Sequence, residues 1–313
     1  MLKICEVYNM VRFVIKRVLS GLFAILVLAT VTFFLMHLIP GGPFNAEKVN
    51  ANTLALMEAR YGFDRPVYVQ YFDYMKDLLQ GDLGISVKKI GFTVNEIIAD
   101  KFPISLRLGL VALGISLFFG IILGMWAAVK RDKIPDRVIM FVSSIGYSVP
   151  GFVVGALLLY FLGIRWQLLP TMRLDTPLSY VMPASALAFS PLSYITRLTR
   201  SGLLDVIDQD YIKTARAKGL TRLVVIGKHA LRNSIIPVVT YLGPLTANTI
   251  VGGFVVERIF SVPGLGSYFI QSITNRDYPM IMGTTVFYAA ILILANMMVD
   301  ITYGIIDPRI KKY

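Results

Sequence analysis

Side chains able to carry out bond-making chemistry are scarce in this 313-residue sequence. Its one cysteine, Cys5, excludes an intrachain disulfide, a thiolate metal site and a paired redox centre. The only histidines are His37 and His229, and the topology reasoned below puts them on opposite sides of a membrane, which removes a His-pair metal site. Neither HExxH nor GxxxxGK followed by Ser or Thr occurs, so the chain is expected neither to act as a zinc protease nor to hydrolyse ATP by itself. Charge is scarce too. Charged residues make up 16% of the chain and hydrophobic ones 56%, against about 25% and roughly 45–50% in soluble domains.

What is abundant is uninterrupted apolar sequence. Residues 18–46, 108–129, 138–164, 176–196, 233–256 and 278–299 contain no Lys, Arg, Asp or Glu. Each run is long enough for a helix that rises ~1.5 Å per residue to cross ~30 Å of hydrocarbon. The expectation is an all-α integral membrane protein with six transmembrane helices, over about 13–38, 105–129, 138–164, 179–200, 234–256 and 279–306. The basic residues Arg12, Lys16 and Arg17 before the first run resemble a signal peptide's n-region. The apolar stretch Val18 to Leu38 is longer than the usual ~7–15-residue signal core and lacks a cleavage site, so it is expected to be retained as a helix. Trp126, Trp166 and Tyr180 fall where interfacial anchors belong, and Gly120/Gly124 and Gly151/Gly155 have the spacing that lets helices approach closely.

Orientation follows from the connecting segments. With the N-terminus inside, residues 1–17, 130–137, 197–232 and 307–313 carry 19 basic against 7 acidic residues, while the other face carries 12 against 11. The net charge of +12 is therefore a topological signal placing both termini in the cytoplasm, and no nucleic-acid partner is implied.

Two connections are more than linkers. The outer segment 39–104 contains Tyr68, Tyr71, Phe72, Met75, Leu78 and Leu79 at helical spacing with Asp73, Lys76 and Asp77 between them, bounded by Arg65-Pro66 and Gly81-Asp82-Leu83-Gly84. It is either a cap packed on the outer membrane face or, in addition, a docking surface for a soluble partner or a wall of the substrate entrance. The inner segment 201–233 places Asp205, Asp208 and Asp210 before Tyr211-Ile212-Lys213-Thr214-Ala215-Arg216-Ala217-Lys218-Gly219, the signature of a short helix ended by glycine. Thr221 is expected to cap a second helix through Leu223, Val224 and Ile226, with Arg222 solvated. Two short helices hinged at Gly219 make a knob whose small Ala215 and Ala217 suit another protein's cleft. A solvated basic loop is the alternative.

At this loop the sequence resembles the permease subunits of binding-protein-dependent ABC importers, in the dipeptide/oligopeptide/nickel branch. The family pattern is Glu-Ala-Ala, a Gly four residues later, then Ile-x-Leu-Pro. Here these positions hold Lys213-Thr214-Ala215, Gly219 and His229-Ala230-Leu231-Arg232, which depart from the general pattern and match the branch's own Tyr-x-x-Thr-Ala-Arg-Ala-Lys-Gly and His-Ala-Leu-Arg-Asn. Similar in turn are Ile39-Pro40-Gly41-Gly42-Pro43-Phe44, Gly81-Asp82-Leu83-Gly84, Val262-Pro263-Gly264-Leu265-Gly266, Arg276-Asp277-Tyr278-Pro279 and Asp307-Pro308-Arg309, and the long loop after helix one resembles the B-type subunit.

The resemblance implies a type I importer permease fold, divided into residues 1–38, an extracytoplasmic 39–104, a five-helix core 105–306 with coupling loop 201–233, and a tail 307–313. It also implies a second homologous permease, two cytoplasmic ATPases that bind ATP and Mg, and an extracytoplasmic substrate-binding protein, in a bacterial or archaeal plasma membrane. No cofactor is expected in this chain. Tyr211, Ala215, Ala217, Gly219, Leu220, His229 and Leu231 would couple to the ATPase. Peptides are the implied cargo, with nickel chelates or oligosaccharides as alternatives in the same importer type.

Asp300 is the one carboxylate within the last apolar segment and shares a helix face with Asn296 and Tyr303. This polar cluster is either structural or part of the transport path. An ion-coupled secondary transporter, the rival function, would place more ionisable groups near the midplane. An intramembrane hydrolase would need a nucleophile with a positioned base, which the two histidines do not provide.

Overall fold

A computed structural model describes residues 2–39, 42, 58, 59, 62–171 and 174–306, with side chains at residue 12 and from 14 to 298. Pro40, Gly41, Pro43, Phe44 and the tail 307–313 fall outside these, as do the side chains of Cys5, Asp300 and Tyr303. The described chain is helical, with one isolated bridge between Ile85 and Thr93. It divides into two compact units, Met1–Ile104 with Pro263–Tyr313, and Ser105–Val262.

In the first unit, α1 (Leu2–Leu38) runs beside α13 (Tyr278–Ile306), so close at Gly21 that a Cβ there would stand 2.7 Å from Ile293. The outer segment contributes α2 (Val67–Leu79), as its spacing predicts, and α12 (Leu265–Asn275) precedes α13. Phe33, Tyr278, Ile281 and Met282 form a buried cluster with Met36, Tyr71, Tyr74 and Phe269 around it. His37 is structural here, with Nδ1 on the Phe33 carbonyl at 2.9 Å and Nε2 on Gln70 Oε1 at 3.0 Å. The turn Gly81-Asp82-Leu83-Gly84 is held by Asn95, which donates to the Gly81 carbonyl at 2.7 Å and accepts from Leu83 N–H at 2.9 Å.

A carboxylate ties this turn region to the start of α13. Asp277 is buried, and it accepts from Ser86 Oγ at 2.5 Å, from the backbone N–H of Val87 at 3.1 Å and of Lys88 at 3.3 Å, and from Met280 N–H at 3.4 Å. A buried anion is tolerable because hydrogen-bond donors replace its water.

Helix α3 (Val94–Val129) starts eleven residues earlier than the apolar pattern suggests, because Thr93 and Glu96 form a reciprocal cap: Thr93 N–H donates to Glu96 Oε2 at 2.9 Å, and Glu96 N–H to Thr93 Oγ1 at 3.2 Å. Its part from Ser105 onward belongs to the second unit. The expected single helix over 138–164 is instead two, α4 (Ile134–Ser148) and α5 (Gly151–Leu158, continued as a π-helix to Arg165), bent by 105°. Pro150 causes the break: it lacks an N–H, and it disfavours helical geometry at Val149, which is extended at φ −91° and ψ 123°.

The centre of the second unit is α6 (Val181–Ile207), the longest buried element there, with Ala184, Ala186, Ala188, Ile195, Thr196, Thr199 and Leu203 enclosed. Small residues on α3 make the approach possible. A Cβ at Gly120 would lie 2.8 Å from Ile195 Cγ2, and one at Gly124 2.6 Å from the Thr196 carbonyl oxygen. The last span of this unit is divided into α10 (Ile236–Val251) and α11 (Phe254–Ile259), separated at Gly252-Gly253.

Among the described residues four segments are long and apolar enough to cross a membrane, Val14–Leu38, Val94–Val129, Ile236–Ile259 and Tyr278–Met298, and the bent pair α4–α5, taken as one span, makes a fifth. The remaining expected span, α6, has the length but not the apolarity, since Ser, Thr, Tyr and Arg residues interrupt it. It is also the most enclosed, so it needs little lipid-compatible surface.

Candidate coupling knob and central cavity

After α6 the chain builds a small two-faced body. Gln209 is extended, α7 (Asp210–Ala217) follows, and Gly219 ends it at φ +78°. Gly219 N–H donates to the Arg216 carbonyl at 3.0 Å and Leu220 N–H to the Ala215 carbonyl at 3.4 Å, the paired bonds of a Schellman stop. A Cβ on Gly219 would meet nothing within 4 Å, so its left-handed φ, and not space, requires glycine. The chain then passes through α8 (Arg222–Val224), a π-turn (Val225–Ala230) and α9 (Leu231–Ser234).

The inner face of the knob is an aliphatic core: Ile212, Ala215, Val225, Ile226 and Ala230 pack on Ala128 of α3 and on Leu203 and Val206 of α6. The outer face carries Leu223, 85% exposed, with Tyr211, Leu220 and Val224 at 38–40%. Asn233 Nδ2 donates to Tyr211 Oη at 2.9 Å and joins the two arms. The carbonyl of Val129, at the end of α3, accepts from Arg222 Nη2 at 3.2 Å. Nearby, Arg200 grips the buried Asp136 with two bonds, Nε to Oδ1 at 2.6 Å and Nη2 to Oδ2 at 2.7 Å, and Asp136 also accepts from Asp132 N–H at 2.9 Å.

Several expectations change accordingly. Ala217, Gly219 and Leu220 lie outward with Tyr211, whereas Ala215 is buried at 6% exposure. Its small size lets α7 seat against α3 and α6 of its own chain. His229 and Leu231 are half-buried on the return arm. Thr221 occupies the cap position of α8 with an extended backbone but makes no side-chain cap bond. Arg222 is tied to α3 and not simply solvated. Sequence spacing could not give the Asp136–Arg200 and Tyr211–Asn233 pairs, whose members lie 64 and 22 positions apart. Of the polar cluster on α13, Asn296 is half-buried, and the side chains of Asp300 and Tyr303 lie outside the described residues.

Farther along α6 lies a cavity of about 420 Å³. Three backbone irregularities converge on it: the α4–α5 break, Pro191 within α6, and the Gly252-Gly253 break. Pro191 has no N–H for the carbonyl of Leu187, which also lines the cavity. In a membrane such irregular backbone is tolerated only inside protein or against a water-filled space. Tyr147, Tyr194 and Tyr241 form one aromatic wall, with Tyr194 ring centroids 4.2 Å from Tyr241 and 6.3 Å from Tyr147. Ser190, Asn248 and Thr249 supply neutral hydrogen-bonding groups, and among the described residues no Asp, Glu, Lys, Arg or His lines the space. Such a site offers a ligand stacking surface and neutral hydrogen-bonding groups.

Comparison with known proteins gives consistent matches. Residues 120–312 match the family model "Binding-protein-dependent transport system inner membrane component", and residues 10–109 match the N-terminal model of the same transport systems. The dipeptide transport system permease protein DppB of Bacillus subtilis is 45% identical over 96% of this chain and 98% of its own. The oligopeptide transport system permease protein OppB of Salmonella typhimurium is 36% identical, over 96% of this chain and all of its own. Among solved structures, an amino acid ABC transporter crystallised with histidines superposes with a TM-score of 0.52 at 18% identity, over 66% of this chain and 93% of that one. This last likeness concerns the fold.

Proposed function

The chain belongs to the family of binding-protein-dependent transport system inner membrane components, and from that premise we propose that it is the B-type half of an ATP-driven importer of di- or oligopeptides. The full-length similarity to dipeptide and oligopeptide permeases supports the cargo. In this reading the chain pairs with a second, homologous permease and receives peptide from an extracytoplasmic binding protein. It rests on two cytoplasmic ATPases, which bind ATP and Mg. It is a transport subunit and performs no covalent step on the cargo. The six charge-free runs support six spans, with α6 as the enclosed one, and the basic-residue asymmetry supports both termini in the cytoplasm.

The observation that carries the mechanism is the knob's two-sidedness. Its outer apolar face is free for a partner, and its inner face is fused by packing to α3 and α6. Helix α6 runs without a break from Leu203 under the knob to Tyr194 and Ser190 at the cavity. ATP-driven motion of the ATPases therefore displaces a rigid lever that also forms the cavity wall, and ATP binding supplies the differential free energy for switching the path. The cavity's neutral aromatic and amide lining fits passage of peptides with varied side chains.

The test is uptake by the reconstituted four-subunit complex with its binding protein. Accumulation of a labelled dipeptide that requires ATP inside and is unaffected by ionophores is expected. ATP-dependent uptake of a nickel chelate or oligosaccharide in place of peptide would overturn the cargo. Uptake driven by an ion gradient without ATP would overturn the importer class.

A further inference from the structure

Helix α2 presents three distinct sectors. Tyr71 and Tyr74 face α1, packing on Phe33, with Tyr71 Oη 2.9 Å from Thr30 Oγ1 and Gln70 on His37. Asp73, Lys76 and Asp77 form a polar edge, and Arg65 pairs with Asp73 at 3.1 Å. The third sector is apolar and bare: Tyr68, Phe72 and Leu79 are 66%, 67% and 88% exposed. At about 100° per residue these three project within about 40° of one another, between the α1-facing sector and the polar edge.

The depth of this sector is set by what α2 leans on. Thr30 lies eight residues, or about 12 Å, before the end of α1 at Leu38. A tyrosine side chain cannot reach that far from above the helix end, so α2 runs alongside the last turns of the apolar span Val14–Leu38. On that span Val31, Phe34, Leu35 and Leu38 are themselves exposed, as lipid-facing residues are. The two surfaces are continuous: the Phe34 ring stacks on Tyr71 at 5.4 Å, and Tyr71 meets Phe72 at 5.5 Å.

We propose that α2 is embedded in the outer leaflet at the boundary between headgroups and acyl chains, with Tyr68, Phe72 and Leu79 in contact with lipid. Its occupant is the bilayer. The aromatic and apolar residues sit at the depth where amphipathic interfacial helices bind, and the charged edge remains in water. The outer segment is thereby a floating brace on α1, not a soluble cap.

Site-directed fluorescence on the full chain in its complex, reconstituted in phosphatidylcholine vesicles, tests this. With Cys5→Ser as background, Phe72→Cys, Leu79→Cys and Lys76→Cys are labelled with an environment-sensitive dye. Nitroxide lipid bearing its spin label near the carbonyls should quench the labels at 72 and 79 about twofold or more over that at 76, and aqueous iodide should show the reverse order. Adding the binding protein should change neither pattern. Leu79 is a bare position, so its variant keeps the test alive if Phe72→Cys accumulates poorly. Iodide quenching at 79 equal to that at 76 overturns the proposal in favour of a soluble cap. Lipid quenching that is absent, or is lost when the binding protein is added, overturns it in favour of a protein partner.

Discussion

The knob after α6 and the clasp around Asp277 solve the same problem, fixing a short irregular segment to long helices, with opposite materials. The knob is held by aliphatic packing of small and branched residues, Ala128, Leu203, Ile212, Ala215 and Ala230. Its polar tie, Tyr211 to Asn233, lies at the exposed edge. The clasp is held by a buried carboxylate, Asp277, with hydrogen-bond donors from Ser86, Val87, Lys88 and Met280. Aliphatic packing is non-directional, so its strength follows the apolar area kept out of water. A buried anion is satisfied only while its donors stay in place, so the clasp should fail abruptly.

The largest effect should therefore come from Asp277→Ala. It strands the buried hydroxyl of Ser86 and the backbone N–H groups of Val87, Lys88 and Met280, at a cost of about 3 kcal/mol or more. We expect a lowered melting temperature in detergent and early proteolysis of the outer segment, with Asp277→Asn intermediate because the amide oxygen still accepts. Wild-type melting of Asp277→Ala would mean that the clasp does not hold this region.

Ala215→Trp comes next. Overfilling the knob's inner core should cost about 1–3 kcal/mol, and it should push α7 off α6. ATP-dependent uptake should be lost while membrane levels remain normal, as measured by immunoblot and transport. Full uptake would show that the inner face is not close-packed.

Gly219→Val should act more locally. Forcing a β-branched residue to positive φ costs about 1–2 kcal/mol, whereas Gly219→Asn should be milder because Asn visits that region. Uptake in the order Gly, Asn, Val checks this, and equal uptake by all three would remove the backbone requirement. Exposed Lys228→Ala serves as the neutral reference; Arg222 is unsuited to that use, since it bonds the Val129 carbonyl at the end of α3.

The smallest effect has the opposite sign. Tyr74 Oη is buried and meets no hydrogen-bond partner among the described residues, and burial pushes its phenol up to about 12. Tyr74→Phe removes this unsatisfied group and should raise stability by up to about 1 kcal/mol, read as an upward shift in melting temperature.

The same contrast explains what the sequence disclosed. The knob is nearly contiguous, so charges at its start, a glycine at its end and apolar spacing between them were enough to place α7 and its stop. The clasp joins residues 191 positions apart, and Gly81-Asp82-Leu83-Gly84 and Arg276-Asp277-Tyr278-Pro279 were visible as separate segments with nothing to connect them. Apolar runs located the spans but not their breaks. A run such as 138–164 has the same composition whether straight or bent, and only Pro150 hinted at the 105° turn. The direction Ala215 faces was hidden as well, because alanine suits either side of a short helix. The cavity left no linear trace, since Tyr147, Tyr194 and Tyr241 come from three different helices.

The central claim is that the knob has one face for its own subunit and one for the ATPase, and cysteine accessibility measures it most directly. In a Cys5→Ser background, Leu223→Cys and Ala215→Cys are exposed to a membrane-impermeant maleimide in inverted vesicles, with and without the ATPase subunits bound. Labelling at 223 should be fast and fall about tenfold when the ATPases bind, as a buried interface excludes reagent, and labelling at 215 should be slow in both conditions. Labelling at 223 that is unchanged by bound ATPases would contradict the two-faced knob.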